Sequence, residues 1–134
     1  MAFIIIADDD ELVTELVRDT FQEYGHMVGT VDNGQAALDA IAAKNPDLVI
    51  LDANMPGNGI LALRAIRQSP RFHALPVVML TARRGEEDVK IAIREGATAY
   101  VKKPFDPHHL VFRIEEILED KGTSSGTGSE LRLR

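Results

Sequence analysis

The residues best suited to chemistry in this chain stand directly after apolar runs. Asp8 and Asp9 follow residues 3–7, Asp52 follows 48–51, Thr81 follows 77–80, and Lys103 comes soon after 98–101. Three carboxylates brought close together repel, so either one takes up a proton or a cation sits among them, and short oxygen ligands such as Asp suit Mg²⁺. Mg²⁺ keeps several waters and commonly takes one or two carboxylates plus phosphate oxygens. A half-formed acidic cage therefore points to phosphoryl chemistry and not to metal storage. A lysine beside it acts as a compact point charge, and a threonine hydroxyl can donate to an oxygen bound at Asp52, with Ala82 leaving room. Each residue has a commoner use when taken alone: an Asp before a helix caps it, an Asp after a strand closes a turn, and a loop lysine is solvated. Only a fold that gathers these strand ends makes them one site.

The pattern of the chain supplies such a fold. The apolar runs 3–7, 48–51 and 77–80 read as buried strands, 26–31 as a weaker second strand and 98–101 as a fifth. Between them lie helical spacings. Asp10 opens a helix whose Val13, Leu16, Val17, Thr20, Phe21 and Tyr24 share a stripe that Gly25 stops. Residues 35–43 form an Ala-rich helix with Leu38 and Ile41 inward, and Leu61, Leu63, Ala65 and Ile66 mark a short helix ending before Pro70. Residues 86–95 form a fourth helix with Val89, Ala92 and Ile93 inward and Ile91 off the stripe. A fifth opens near Pro107 with Leu110, Val111, Ile114, Ile117 and Leu118 inward. Strand–helix alternation repeated five times predicts an α/β fold, a doubly wound five-stranded parallel sheet with helices on both faces. The common strand order for such a chain, 2-1-3-4-5, sets the first and third strands side by side, and with them Asp8, Asp9 and Asp52.

Length and composition narrow the function classes. A chain of 134 residues with 45% hydrophobic and 27% charged residues is one soluble globular domain. A net charge of -6 argues against a phosphate-backbone binder, so residues 1–121 are expected to make no direct contact with nucleic acid. The absence of cysteine excludes disulfides and thiolate chemistry. The apolar start runs straight into Asp8-Asp9-Asp10-Glu11 with no basic leader, and no run reaches the length of a bilayer span, so a cytoplasmic protein with no membrane partner is expected. Residues 1–121 are expected as the domain and 122–134, rich in Gly, Ser and Thr, as a flexible tail: a linker to an output domain, an expression remnant or a frayed end. His26, His73, His108 and His109 lack ligand spacing and are expected at the surface. Met27 and Met79 are expected as core filler.

Four motifs in order, Asp8-Asp9, Asp52-Ala53-Asn54-Met55-Pro56, Thr81-Ala82 and Lys103-Pro104-Phe105, give the chain a resemblance over about residues 2–120. It resembles a receiver domain of the bacterial response regulators, the phosphoacceptor modules of two-component signalling, with their flavodoxin-like fold. The resemblance implies that Asp52 takes a phosphoryl group from a phosphohistidine on a histidine kinase or phosphotransfer protein. It implies Mg²⁺ held by Asp8, Asp9, Asp52 and the Asn54 backbone carbonyl, Lys103 paired with the phosphoryl group, and Thr81 turning inward to bond it, with Tyr100 following into the vacated space. It further implies a signalling switch and not an enzyme acting on other substrates. Output runs through the fourth helix, fifth strand and fifth helix to a partner, to a C-terminal domain absent from this sequence, or to a second copy in a homodimer. Asn54 and Arg83 flank the expected path of attacking water, and Ile91 is a candidate partner contact.

Rival readings fare worse. A phosphatase or mutase of the haloacid-dehalogenase type expects a second Asp two residues after the nucleophile, where Asn54 stands, and a flavodoxin-type carrier would have its flavin phosphate repelled by Asp8 and Asp9. A degenerate receiver would lack some of the five family positions, all of which are present. One departure is visible: the family usually places the Gly of the third-strand loop eight residues after the acceptor, whereas Gly59 lies seven after Asp52, with Asn58 where an Asp is common. Retained Mg²⁺ binding is expected, because Asn54 precedes the shortened part. The Lys103-Pro104 bond is open to either isomer, trans being the commoner.

Overall fold

The computed structural model of the chain describes the backbone of residues 1–82 and 86–122 and the side chains of 1–82 and 89–120. Arg83 and most of the expected tail, residues 123–134, lie outside the described residues. The elements run β1 (Phe3–Ala7), α1 (Glu11–Glu23), β2 (Met27–Val31), α2 (Gly34–Lys44), β3 (Leu48–Asp52), α3 (Gly59–Gln68), β4 (Val77–Thr81), α4 (Glu86–Arg94), β5 (Ala99–Lys102) and α5 (Pro107–Gly122). All pairings are parallel, and the order is β2-β1-β3-β4-β5, as the alternating pattern predicts. Among the described residues no helix is long and apolar enough to cross a membrane.

Side chains alternate across each strand, so one apolar run serves two cores. Ile5, Ala7, Val49, Leu51, Val77 and Met79 face α2, α3 and α4, and Ile4, Ile6, Leu48, Ile50, Val78 and Leu80 face α1 and α5. Both faces of β3 and β4 are buried, which is why those strands read as unbroken apolar runs. The register then delivers the site. Ala7 pairs with Leu51, so Asp8 and Asp52 emerge as neighbours, and Asp52 pairs with Leu80 and Thr81 with Lys102, so Thr81 and Lys103 follow beside them.

Several expectations need correction. Leu16 is exposed, because α1 turns Thr14, Val17, Thr20 and Phe21 to the sheet. Tyr24 is at the surface too, edge-on to Phe112 and His108. Leu61 is exposed and Ala62 takes its inward place on α3. On α4, Ala92 is buried, and residues 91 and 93 stand about 100° to either side of it. Ile91 is half-buried and faces the same cavity as Ile60 of α3, whereas Ile93 is 56% exposed, so the two Ile exchange the roles expected of them. Met27 opens an edge strand and is 55% exposed, while Met79 is core. His26 is not a surface residue: it is buried, its Nδ1 accepts from the Ala2 N–H at 3.1 Å, and its Nε2 lies 2.7 Å from Glu115 Oε2. The Lys103-Pro104 bond is cis.

Candidate phosphoryl-transfer site

Asp8 and Asp52 are acids at the carboxyl ends of adjacent buried strands, where backbone geometry and not loop chance fixes their direction. Asp8 is 2% exposed and Asp52 4%. Asp8 Oδ1 accepts from the Asp10 N–H at 2.9 Å, and Asp52 Oδ1 from the Asn54 N–H at 3.1 Å. Lys103 reaches over from the end of β5: its Nζ is 2.7 Å from Asp8 Oδ2 and 3.5 Å from Asp52 Oδ2. One oxygen from each of Asp8, Asp9 and Asp52 lies within 4.8 Å of the others, with Asp9 exposed on the open side.

The electrostatics follow from this crowding. Burial, reinforced by the Asp8 anion, pushes the Asp52 carboxyl above its ordinary range, against the Asn54 N–H and the Lys103 charge, which pull it down. Burial also works to lower Lys103, but the hydrogen bond to Asp8 and the charges of Asp52 and Asp8 outweigh it and leave Lys103 raised. Lys103 is therefore a firmly protonated cation, and Asp52 a carboxylate whose charge is poorly solvated. The donor set is hard oxygen throughout, and three carboxylates with one ammonium leave negative charge in excess, which fits a small divalent cation such as Mg²⁺. Asp8, Asp9 and Asp52 are the residues able to hold it, and Asn54 opens the loop from which a backbone carbonyl is expected.

Thr81 ends β4 and is buried. It borders a cavity of about 200 Å³ that Asn54, Asn58, Ile60, Ile91 and Tyr100 also line. Thr81 and Tyr100, the two expected switch residues, thus share one space, on neighbouring strands. All the predicted site residues on described side chains converge at this end of the sheet.

Sequence reasoning missed two neighbours of the site. Asp10 caps α1 as expected, accepting from Leu12 N–H at 3.0 Å, but also aims its own N–H at Asp8, which was not foreseen. An apolar groove of about 410 Å³ lies against Lys103, lined by Val13, Leu16, Ala82, Pro104 and Phe105.

The family model described as the response regulator receiver domain matches residues 4–115. The transcriptional regulatory protein CseB of Streptomyces avermitilis is 35% identical over 127 residues, an overlap of 94% of this chain and 53% of CseB. The transcriptional regulatory protein CpxR of Escherichia coli is 40% identical over 116 residues, 86% of this chain and 48% of CpxR. The chain thus spans about half the length of the curated relatives it matches. Among solved structures, a response regulator from Chloroflexus aurantiacus matches with a TM-score of 0.84 at 34% identity, covering 88% of this chain and 98% of that one.

Proposed function

The chain belongs to the response regulator receiver family of two-component signalling, and from that premise we propose that Asp52 is its phosphoacceptor, charged by a histidine kinase or phosphotransfer protein. The observation that carries this reading is the convergence of Asp8, Asp9, Asp52 and Lys103 at one rim, with Lys103 Nζ within 3.5 Å of both Asp8 and Asp52. In the reaction an Asp52 carboxylate oxygen attacks phosphorus, the bond from phosphorus to the donor imidazole nitrogen breaks, and the electron pair leaves with the imidazole. Burial of Asp52 removes water that would otherwise shield the nucleophile. Lys103 neutralises charge on the transferring group, which is most of what phosphoryl transfer demands of a protein. Asp8, Asp9, Asp52 and the Asn54 carbonyl would hold Mg²⁺, which when bound would supply further charge neutralisation to the transferring group.

Phosphorylation then acts as a population shift: the state in which Thr81 and Lys103 close on the phosphoryl group is favoured, and Tyr100 moves into the cavity it shares with Thr81. Output passes through the surface of α4, β5 and α5, where exposed Ile93 replaces Ile91 as the apolar contact, toward a partner, a domain following residue 121, or a second copy. CseB and CpxR are transcriptional regulators by name and about twice as long, which favours a following domain. The groove beside Lys103, walled by Val13, Leu16, Ala82, Pro104 and Phe105, offers the phosphodonor an apolar seat. The protein is a switch of the cytoplasm that modifies only itself. Incubation with acetyl phosphate and Mg²⁺ followed by intact mass tests the assignment. One added phosphoryl group is expected on the wild type and none on Asp52→Asn; no adduct, or an undiminished one on the variant, refutes it.

A further inference from the structure

The cavity bordered by Thr81 and Tyr100 has walls of two kinds. Its floor is β4 and β5, where Met79 and Tyr100 stand side by side, and Ile60 of α3 with Val89, Ile91 and Ala92 of α4 give it an apolar roof. The wall toward the rim is polar, made by Asn54 and Asn58. Asn58 Oδ1 is committed to the α3 cap, accepting from the Ile60 N–H at 2.9 Å, which leaves the amide N–H₂ of that side chain to donate elsewhere.

Volume sets the size of an occupant. About 200 Å³ is too little for a drug-sized molecule, whose pockets run to about 300–1,000 Å³, and enough for one six-membered ring, since an apolar cavity of about 150 Å³ takes up benzene. Charge narrows the choice. Ala53, the residue after Asp52, also lines the space, and the neighbouring carboxylates of Asp8 and Asp52 disfavour an anionic ring. A ring bearing one neutral hydroxyl meets every demand: its face packs on the Met79 thioether and the aliphatic roof, and its oxygen accepts from an Asn amide. The side chain that enters this space on switching has the same chemistry, because Tyr100 carries a phenol. A small phenol and Tyr100 therefore compete for one volume.

We propose that this cavity is a binding site for a small neutral phenol, and that its occupancy holds the unphosphorylated state by denying Tyr100 the space. The coupling rests on the phosphoacceptor reading, whereas the binding does not. By linkage, a ligand that favours the unphosphorylated state binds the phosphorylated one less well by the same factor, so it raises the level of phosphodonor needed to switch the output. The alternative is a packing void, which selects by size alone or takes up nothing.

p-Cresol, the tyrosine side chain as a free molecule, is titrated into the isotope-labelled chain and followed by amide NMR. Shifts confined to the cavity, at Asn58, Thr81, Ile91 and Tyr100, are expected, with a Kd on the order of 0.1–1 mM. Toluene, which lacks the hydroxyl, is expected to bind about three- to tenfold more weakly, and the anion p-toluate about tenfold or more. With beryllofluoride and Mg²⁺ bound, as read by fluorine NMR, p-cresol is expected to bind about 5- to 100-fold more weakly. Val89→Phe and Ile60→Phe each place a ring of the chain in the space and should abolish the shifts. Absence of localised shifts in the folded wild type, their survival in both variants, or equal affinity for the three ligands overturns the site. An affinity for p-cresol unchanged by the bound mimic overturns the coupling while leaving the phosphoacceptor reading intact. Absence of a bound-mimic signal refutes the phosphoacceptor reading and the coupling with it, and the titration alone then decides the site. If Val89→Phe does not fold, Ile60→Phe and the wild-type titrations decide the matter.

Discussion

Replacing Asp52 by Asn is expected to stabilise the metal-free protein at neutral pH, against the usual direction for a buried polar residue. The charge terms nearly cancel. At an effective dielectric of about 20, Lys103 at 3.5 Å attracts Asp52 by about 5 kcal/mol, and Asp8, within 4.8 Å, repels it by at least about 3.5 kcal/mol. Asp9 is exposed, and screening reduces its share to about 1 kcal/mol. What remains is burial, which costs several kcal/mol for a carboxylate before relaxation and nothing comparable for an amide. The amide oxygen of Asn can still accept from the Asn54 N–H, so the substitution leaves that donor satisfied. A gain of about 1–2 kcal/mol follows, or about 4–8 °C in Tm for a domain of this size.

The pH dependence identifies the cause. The folded pKa of Asp52 is raised above its ordinary 3.8, so folding favours the protonated form. The contribution Asp52 makes to stability is complete below that ordinary value and is lost as the pH rises through the folded one. The advantage of Asp52→Asn is therefore absent below about pH 4 and grows toward neutral pH as the folded value is passed. Urea unfolding of both proteins in chelator at the two pH values measures it. Mg²⁺ at ten times its dissociation constant returns about 1.4 kcal/mol to the wild type, narrowing the gap. A variant no more stable than wild type at neutral pH, or one whose gain is the same at both pH values, refutes the reasoning.

Three further outcomes follow from the same geometry. Lys103→Met frees Asp8 Oδ2 of its ammonium, so Mg²⁺ is expected to bind several-fold tighter by calorimetry while phosphorylation by acetyl phosphate slows by about a hundredfold; weaker metal binding would contradict the geometry. Gly59→Ala drives a Cβ into the Asp52 carbonyl oxygen and should cost about 2–4 kcal/mol in urea unfolding, a neutral result being incompatible with the close approach. His26→Ala breaks the links to Ala2 and Glu115 and should cost about 2–3 kcal/mol, while exposed His109→Ala stays within about 0.5 kcal/mol; equal effects would show that the His26 contacts hold nothing.

The sheet and the meeting of Asp8, Asp52, Thr81 and Lys103 were legible in the sequence because both depend on long-lived regularities. Apolar runs buried on two faces identify parallel strands, and right-handed crossovers leave few strand orders. The rotational phase of the helices was less legible. Leu16 beside Val17, and Ile93 beside Ala92, each lie about 100° from a truly buried neighbour, and the apolar stripe alone does not say which flank meets a partner element. His26 was misread for a different reason. Its partners, Ala2 and Glu115, lie 24 and 89 residues away, so nothing local marks it as a satisfied core histidine. The cavity and the groove beside Lys103 were invisible because a void leaves no pattern in sequence.

The loop after Asp52, which the resemblance led one to expect a residue short, is held without disturbing the acid. Asn58 takes a φ of +58° and caps α3 with its side chain, accepting from the Ile60 N–H at 2.9 Å, so turn and cap occupy one residue. Gly59, lacking a Cβ, lets α3 begin against the Asp52 carbonyl, and its N–H reaches the Ala53 carbonyl at 3.2 Å. The middle of the loop is fastened to α2, where the Gly34 N–H donates to the Pro56 carbonyl at 2.9 Å. Met55 is buried, and Ala53 N–H bonds the Leu80 carbonyl at 2.8 Å. The turn and the cap thus fall after Pro56, beyond the bond that Asn54 makes to Asp52. A loop tied to α2, α3 and β4 has little freedom to move when the site changes state. Thr81 and Tyr100 face the cavity from the neighbouring strands β4 and β5, and Asn54 and Asn58 of this anchored loop form its opposite wall.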